Sequence, residues 1–492
     1  MSPSLRELEP KELWNHFADL NAVPRPSKKE ERVIEFMIQF GKKLNLETLK
    51  DEIGNVIIKK PATKGLEHNK TIVLQSHLDM VHQKNANTIF DFNTQGIEMI
   101  VDGDWVKAKG TTLGADNGIG VATIMSLLES EKIPHPAIEA LFTIDEETGM
   151  TGALNLKGGL LKGSILLNLD TEDDNELTIG CAGGIDVTAS GNYEQIPPSP
   201  NGISLILHIK GLTGGHSGMD IYKGRGNANK LMNRILSSAS DQFGVQISFV
   251  DGGSLRNAIP RESMAGIVIP KNNEAEFRKF IQGIEKEIKA EHQTTDPKFF
   301  IQIENTSDLS LVIKSDFQSK MLKSLYACPN GVYRMSPEIL HLVQSSNNLA
   351  RVLVKDGLFS IQCLTRSSVD TEKMDLAMAL KCTFELMDAK IDFSGSYPGW
   401  TPKPEASIVQ LMSKLYKEIN AEDALVSACH AGLECGILGT NYHNMEMISF
   451  GPNIRGAHSP DEKVQISSVQ KFWNYLLEVL KRIPEESHII KG

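Results

Sequence analysis

TIVLQSHLDMV, residues 71–81, reads as a buried strand for two thirds of its length and then changes character. Ile72, Val73 and Leu74 want a dry interior, yet the run ends in His77 and Asp79. Side chains two apart on a strand point to the same side, so a histidine and an aspartate are delivered together to one face at the end of an apolar element. They either satisfy each other or are held there for something to bind.

Working outward, similar short apolar runs bounded by turn residues surround this one: GNVIIKK before it, EALFTIDEE and SILLNLD after it. GIGVATIMSLLES between them reads as a helix, and SKKEERVIEFMIQFGKKL as an earlier one, with Ser27 and Glu30 at capping-box spacing and Val33, Ile34, Met37 and Ile38 on one stripe. Strands alternating with helices predict an α/β layer with a largely buried sheet. From about residue 185 the pattern changes. ISLILHIKG, NANKLMNRILSSAS, VQISFV, SMAGIVIP, the helix EAEFRKFIQGIEKEIKAEH and KFFIQIE follow the order β-α-β-β-α-β of a ferredoxin-like unit. A second pass is expected from LSLVIK through the helix around FQSKMLKSLYA, LARVLVK, FSIQCLT, the helix around KMDLAMALKCTFELM, and KIDFSGS. After SGSYPGWTPKPEAS the first pattern returns, with helix SIVQLMSKLYKEI, strand EMISFG and helix SSVQKFWNYLLEVLKRI. The predicted organisation is a discontinuous α/β domain, residues 1–184 and 397–492, with an α+β insertion over 185–396 whose halves, about 185–304 and 305–396, resemble each other.

Composition limits the function classes. A chain of 492 residues exceeds one ordinary core. Its 40% hydrophobic and 23% charged content is that of a soluble globular protein. A net charge of −11 argues against general nucleic-acid binding, which needs a basic surface to displace counterions. MSPSLRELEPKELW has no apolar core of a secretory signal, and no apolar run approaches the ~20 residues that span a bilayer. Six cysteines without a CxxC pair read as thiols in a reducing compartment, so the expected location is the cytoplasm and no membrane or nucleic-acid partner is expected.

In open α/β sheets, ligands bind beyond the carboxyl ends of the strands. Here those ends carry His77 and Asp79, Glu146 and Glu147, and Asp170, while His458 lies in GPNIRGAHSPDE after EMISF and Asp116 in TLGADNGIG before a helix. Each motif alone has an ordinary reading: a hydrogen-bonded His-x-Asp pair, a solvated Glu-Glu, a helix-capping aspartate. Their placement at one sheet edge changes the reading. Two imidazoles and several carboxylates without cysteine suit a catalytic Zn²⁺ or similar divalent ion. Massing Asp79, Asp116, Glu146, Glu147 and Asp170 without cations would raise their pKa values. Two divalent ions ~3.5–4 Å apart would neutralise the cluster and form a hydrolytic centre.

HLD at 77–79, GADNG at 114–118, DEETG at 145–149, LD at 169–170 and GAHSPDE at 456–462 resemble the M20 metallopeptidase family, in order and spacing, through nearly the whole chain. The long insertion, GLTGGHSGMDI at 211–221 and HAGLECG at 430–436 are similar to its aminoacyl-histidine dipeptidase branch. The resemblance implies a zinc-peptidase-like catalytic domain and an inserted lid domain. It implies that His77 and Asp170 hold one metal, Glu147 and His458 the other, that Asp116 bridges both, and that the Asp116–Asn117 peptide is cis. Asp79 would orient His77, and Glu146 would be the general base. His216 would stabilise the oxyanion, and Arg366 in CLTRSS would grip the substrate carboxylate. Asn257 in SLRNAIP and the backbone at Gly432 would make further substrate contacts. With His216 and Arg366 on the insertion and the metals on the other domain, closure during turnover is expected. The implied cofactors are two divalent ions, Zn with Mn or Co as alternatives. The implied substrate is an Xaa-His dipeptide such as carnosine, and a homodimer is compatible with the family. Three rivals stand beside this reading: another M20 amidohydrolase (tripeptidase, aminoacylase or deacylase), a non-catalytic binding protein on the same fold, and a structural carboxylate–histidine network.

Overall fold

The computed structural model describes residues 4–306 and 309–486. The chain divides into two compact units. One is built from Met1–Gly180, Pro402–Ala428 and Leu433–Gly492, the other from Cys181–Thr401 and Cys429–Gly432.

The first unit holds an eight-stranded mixed sheet in the order Glu47–Lys50, Val56–Lys60, Ile138–Thr143, Ile72–His77, Ile165–Asn168, Glu446–Ser449, Glu176–Cys181, Leu425–Cys429. The four central strands, from 138–143 to 446–449, are mutually parallel, and antiparallel neighbours flank them. Every residue of 72–77, 138–143 and 165–168 is buried, which explains why these strands read as unbroken apolar runs rather than alternating ones. The helix Ala115–Glu129 packs on the 72–77 strand and is buried along all of residues 117–128, as GIGVATIMSLL, apolar all round, requires. Parallel alignment puts four carboxyl ends at one edge, with His77 paired beside Thr143 and Gln75 beside Asn168. A smaller antiparallel sheet joins Ile454–Arg455, Lys463–Gln465, Trp105–Ala108 and Met99–Asp102, so the His458 loop is the tip of a hairpin.

The second unit is an antiparallel sheet in the order Phe300–Thr306, Gly202–Lys210, Ser263–Pro270, Gln246–Gly253, Val343–Lys355, Leu358–Ser367, Gly183–Asn192, Lys390–Tyr397, with the short strand Gly331–Met335 paired to 343–355. The first four strands, with helices Ala228–Phe243 and Glu274–Glu291, are the predicted ferredoxin-like unit in full. The second four form its counterpart with helices Ser315–Ala327 and Asp370–Glu385, but the first strand is not LSLVIK. That segment supplies only Val312–Ile313, paired with Gln195–Ile196. The first-strand place is taken by 183–192, which pairs with both 358–367 and 390–397. Ile185, Val187 and Ala189 point their alternate side chains into the core there, a longer alternating face than LSLVIK offers. The first ferredoxin-like unit is thus threaded into the second. One core, including Ile185, Leu207, Ile235, Ile267, Phe277, Met321, Val352 and Phe384, lies between the sheet and the four helices.

One helix start also differs from expectation. The early helix runs Glu31–Lys43 with Glu30 at its cap, and no capping box forms there. Ser27 instead donates its hydroxyl to the Met80 carbonyl at 3.2 Å, and Glu30 accepts the Lys28 amide at 2.7 Å.

Candidate active site

Seven predicted side chains of the first unit converge at the carboxyl edge of the parallel strands. His77 ends its strand with Nε2 3.1 Å from Asp116 Oδ1 and 3.6 Å from Asp170 Oδ1. His458 places Nε2 3.1 Å from Asp116 Oδ2 and 2.9 Å from Glu147 Oε2. The two oxygens of Asp116 therefore face two different histidines. Asp79 lies on the far side of His77, with Oδ1 3.3 Å from Nδ1, and accepts the amides of Glu146 at 3.0 Å and Glu147 at 3.3 Å. One carboxylate thereby fixes both an imidazole and the start of the Glu146–Glu147 turn.

The backbone that presents these groups is irregular. The Asp116–Asn117 peptide is cis, in agreement with the expectation, and the two residues leave helical geometry within the helix 115–129. Asn117 donates to the Leu169 carbonyl at 2.5 Å, tying this turn to the segment carrying Asp170. Glu146 and Glu147 do not continue a strand, as their reading at the end of LFTIDEE supposed; they open a short helix, Glu146–Gly149. Asp145 turns the chain with φ 51°, in the left-handed region, and its carboxylate is held by the hydroxyls of Thr148 and Thr151. Consecutive helical residues diverge by about 100°, so the two glutamates still face different ways. His458 also sits at positive φ, 63°.

The charges are crowded. Burial raises the carboxyl of Glu146 well above its usual range, and nearby Asp170 and Glu147 add to this against His77. Burial likewise lifts Asp170 to about 6 and Glu172 to about 8, the latter helped by Asp116. Asp116 moves the other way: burial opposes its ionisation, but hydrogen bonds from His458 and His77 hold its carboxyl below the ordinary value. Hydrogen bonds to Asp116 and Glu147 push His458 up to about 11. Burial works against charging His77, yet Asp170, Asp116 and Asp79 leave it well above the usual imidazole range. On the protein's own charges, the cluster can only share protons among its members.

The donor set fits divalent cations. His77, Asp116 and Asp170 bring ligand atoms within 4.8 Å of one another, as do Asp116, Glu147 and His458. Two ligand atoms on a tetrahedral ion at ~2.0–2.1 Å lie about 3.3 Å apart, and the imidazole–carboxylate spacings above, 2.9 to 3.6 Å, bracket that value. Asp170 Oδ1 and Glu147 Oε1 are buried and accept no hydrogen bond, so each triad holds an oxygen whose lone pairs the protein leaves unused.

Beneath the cluster is a polar floor that motif reading missed. Glu434 accepts from Gln75 Nε2 and Thr143 Oγ1, both at 2.6 Å, and Gln75 Oε1 accepts from Asn168 Nδ2 at 2.5 Å. Gln75, Thr143 and Asn168 sit in the otherwise apolar strand layer, Glu434 opens the helix Glu434–Asn441, and all four are at most 1% exposed. Gln75 and Asn168 lie two positions before His77 and Asp170 on the same strand faces, so the network braces the strands just below the ligands. Burial lifts Glu434 to about 7. A glutamine and an asparagine inside VLQSH and LLNLD were the available signal: polar residues in runs that should be dry.

The remaining predicted residues lie in the second unit, where His216, Asn257 and Arg366 gather around Ser217. Gly215–His216 pairs as a strand with Ala258–Ile259, and the Ser217 amide donates to the exposed Asn257 at its carbonyl, 2.8 Å. His216 Nδ1 accepts the amides of Gly218 at 3.1 Å and Met219 at 3.0 Å. An accepting Nδ1 places the ring proton on Nε2, making that atom a donor. Arg366, 5% exposed, donates to the Tyr397 hydroxyl at 2.7 Å and approaches Ser217 Oγ at 3.5 Å. It makes no ion pair with a carboxylate among the described residues. Gly432 belongs to the 429–432 stretch of this unit, whose His430 accepts or donates at Nε2 with Ser346 at 2.7 Å. Burial and the Arg366 charge push His430 down to about 3, so it is a neutral neighbour of the guanidinium.

Residues 73–482 match the family model described as peptidase family M20/M25/M40. The cytosol non-specific dipeptidase of Escherichia coli (strain K12) is 38% identical over 480 residues, covering 98% of this chain and 99% of the relative. The crystal structure of aminoacylhistidine dipeptidase from Vibrio alginolyticus superposes with a TM-score of 0.92 at 41% identity, covering 99% of both chains. A tripeptidase from Staphylococcus aureus shares the fold at 15% identity and a TM-score of 0.56, covering 97% of this chain and 99% of the other. With its ligand motifs gathered at one sheet edge and a family match across most of its length, the chain belongs to peptidase family M20/M25/M40.

Proposed function

We propose that this protein is a dinuclear-metal dipeptidase of the M20 family. His77 and Asp170 would hold one ion and Glu147 and His458 the other, with Asp116 available to both. The observation that carries the reading is Asp116, whose two oxygens each face a different histidine, in triads that each keep a buried carboxylate oxygen accepting no hydrogen bond. Bound divalent ions would supply Lewis acidity to the scissile carbonyl and to the attacking water. Zn is the ion expected from the donor set, and Mn or Co are compatible with it.

The protein's own groups do the rest. Glu146 lies within ligand distance of His77 and Glu147 but belongs to neither of the two triads that share Asp116, and a carboxyl raised by burial suits a group that takes a proton from water and passes it to the departing amine. Asp79 holds His77 by Nδ1 and thereby aims Nε2. His216, protonated on Nε2, is a donor for the developing oxyanion. Arg366, buried among neutral hydroxyls, has its charge available for a substrate carboxylate, with Asn257 and the Gly432 backbone as further contacts. Recognition of that carboxylate one residue beyond the cleaved bond would make the departing product a single amino acid, and a dipeptide is the shortest substrate that meets this condition.

The leaving residue is histidine in our reading, with carnosine as a test substrate. One relative is named as non-specific and another as aminoacylhistidine-directed, so the side-chain preference is the point to measure. We place the protein in the cytoplasm, as its relative from E. coli is named; among the described residues no helix is long and apolar enough to cross a membrane. The test is to strip the ions, restore Zn, Mn and Co singly, and assay carnosine, other dipeptides, a tripeptide and an N-acyl amino acid. Cleavage of dipeptides alone, restored by metal, is the expected result. Preference for the tripeptide or the acyl amino acid would replace the dipeptide assignment with another amidohydrolase activity of the family.

A further inference from the structure

The GAHSPDE motif contains an acid that the catalytic scheme does not use. Glu462 is 2% exposed, and its carboxylate accepts four consecutive backbone amides: Leu113 at 2.7 Å and Gly114 at 3.0 Å on Oε2, Ala115 at 2.7 Å and Asp116 at 3.2 Å on Oε1. These amides form the turn that opens the helix 115–129, where a negative charge is favoured by the helix end. Glu462 itself closes the hairpin loop that carries His458. A single carboxylate thus joins the Asp116 turn to the His458 loop, some 340 residues away along the chain.

The other side of the same turn is held by Arg25. This guanidinium, 1% exposed, donates from Nη2 to the Gly114 carbonyl at 2.6 Å and from Nη1 to the carbonyls of Leu78 at 3.0 Å and Asp79 at 3.1 Å. It therefore joins the Asp116 turn to the segment leaving His77. Gly114 has φ 70°, and a Cβ there would lie 2.5 Å from Arg25 Nη2, so the turn is shaped to admit the guanidinium. Arg25 and Glu462 make no ion pair with each other among the described residues. Glu462 spends its hydrogen bonds on backbone, Arg25 donates to three backbone carbonyls and to Asn21 Oδ1 at 3.0 Å, and together they place opposite charges on the two sides of the turn.

The geometry points to a charged clamp in which Arg25 and Glu462 act as positioning residues for Asp116, holding its carboxylate between His77 and His458 before any ion binds. The inference rests on the reading of these three residues as metal ligands. Asp116 belongs to a turn that no strand pairing supports, so its aim depends on those bonds. Residues that orient metal ligands typically change metal affinity ~10–100-fold when replaced.

Two measurements test the clamp on the full chain. In metal-stripped wild-type protein, hydrogen exchange at amides 113–116 should be as slow as in the 72–77 strand; rapid exchange there overturns a preformed clamp. In calorimetric titration with Zn²⁺ or Mn²⁺, Glu462→Gln should bind at least one ion ~10–100-fold more weakly than wild type, because its amide offers one acceptor oxygen and turns an NH₂ toward backbone donors. Arg25→Lys keeps the charge but loses the planar fork, and should weaken binding in the same direction. Folded variants with wild-type affinity for both ions overturn the proposal. Should Glu462→Gln fail to fold, the exchange experiment and Arg25→Lys decide the matter. Should wild-type protein bind no divalent ion, the metallopeptidase reading fails by that result alone, and exchange at 113–116 still upholds or overturns the clamp.

Discussion

The two units hold functional groups in opposite electrostatic states. In the first, acids and imidazoles crowd together at the ends of parallel strands, and Asp170 Oδ1 and Glu147 Oε1 accept no hydrogen bond. In the second, a buried guanidinium on an antiparallel sheet is surrounded by the hydroxyls of Tyr397 and Ser217 and by a neutral histidine. Crowded carboxylates are costly until cations arrive, and a buried arginine with neutral partners is costly until an anion arrives. The difference is one of sign: under the proposed function, the first unit would receive dications and the second a substrate carboxylate.

The largest effect should come from depriving the first unit of its cations. Chelation should abolish peptide hydrolysis, and one divalent ion should restore it; activity that ignores chelation would reduce the cluster to a salt-bridge network. Next, Glu146→Ala should lower turnover ~10²–10⁴-fold while elemental analysis still finds both ions, which separates the base from the ligands. In the second unit, His216→Ala should reduce kcat ~10²–10³-fold with unchanged metal content. Equal loss of metal would place His216 in the wrong class of residue.

Arg366→Ala should cost ~10–100-fold in kcat/KM on a dipeptide with a free carboxylate and little on its C-terminal amide. Equal losses on both would break the anion side of the comparison. The smallest effect concerns stability. Glu434 has its carboxyl lifted from 4.5 to about 7 by burial, so the unfolded chain releases this proton first as pH rises. Its contribution is therefore unpenalised below pH 4.5 and becomes destabilising between 4.5 and 7, by up to about 3 kcal/mol. Melting of metal-stripped Glu434→Gln against wild type should shift in favour of the variant across that window; parallel curves would remove the buried charge.

Much of this candidate site was legible because its side chains interrupt strong local patterns. His77 and Asp79 end an apolar strand, Glu146 and Glu147 follow another, and a histidine-bearing loop follows a third. The braces were less legible. Gln75 and Asn168 are visible as polar residues in dry runs, but nothing local pairs them with Glu434, which lies 359 residues beyond Gln75. Ser27 and Glu30 had capping-box spacing, yet Ser27 bonds to Met80 because a partner distant in sequence competed successfully with the local cap.

By itself the sequence determined the alternation of elements, the first ferredoxin-like pattern and the chemical types of the candidate ligands, since periodicity and side-chain type are local properties. Only the tertiary structure decided that residues 183–192 open the second ferredoxin-like unit, that both oxygens of Asp116 find different histidines, and that Arg25 and Glu462 hold its turn. Strand pairing and hydrogen bonds between distant segments depend on which surfaces the folded chain brings within about 3 Å of each other, and no window of neighbouring residues contains that information.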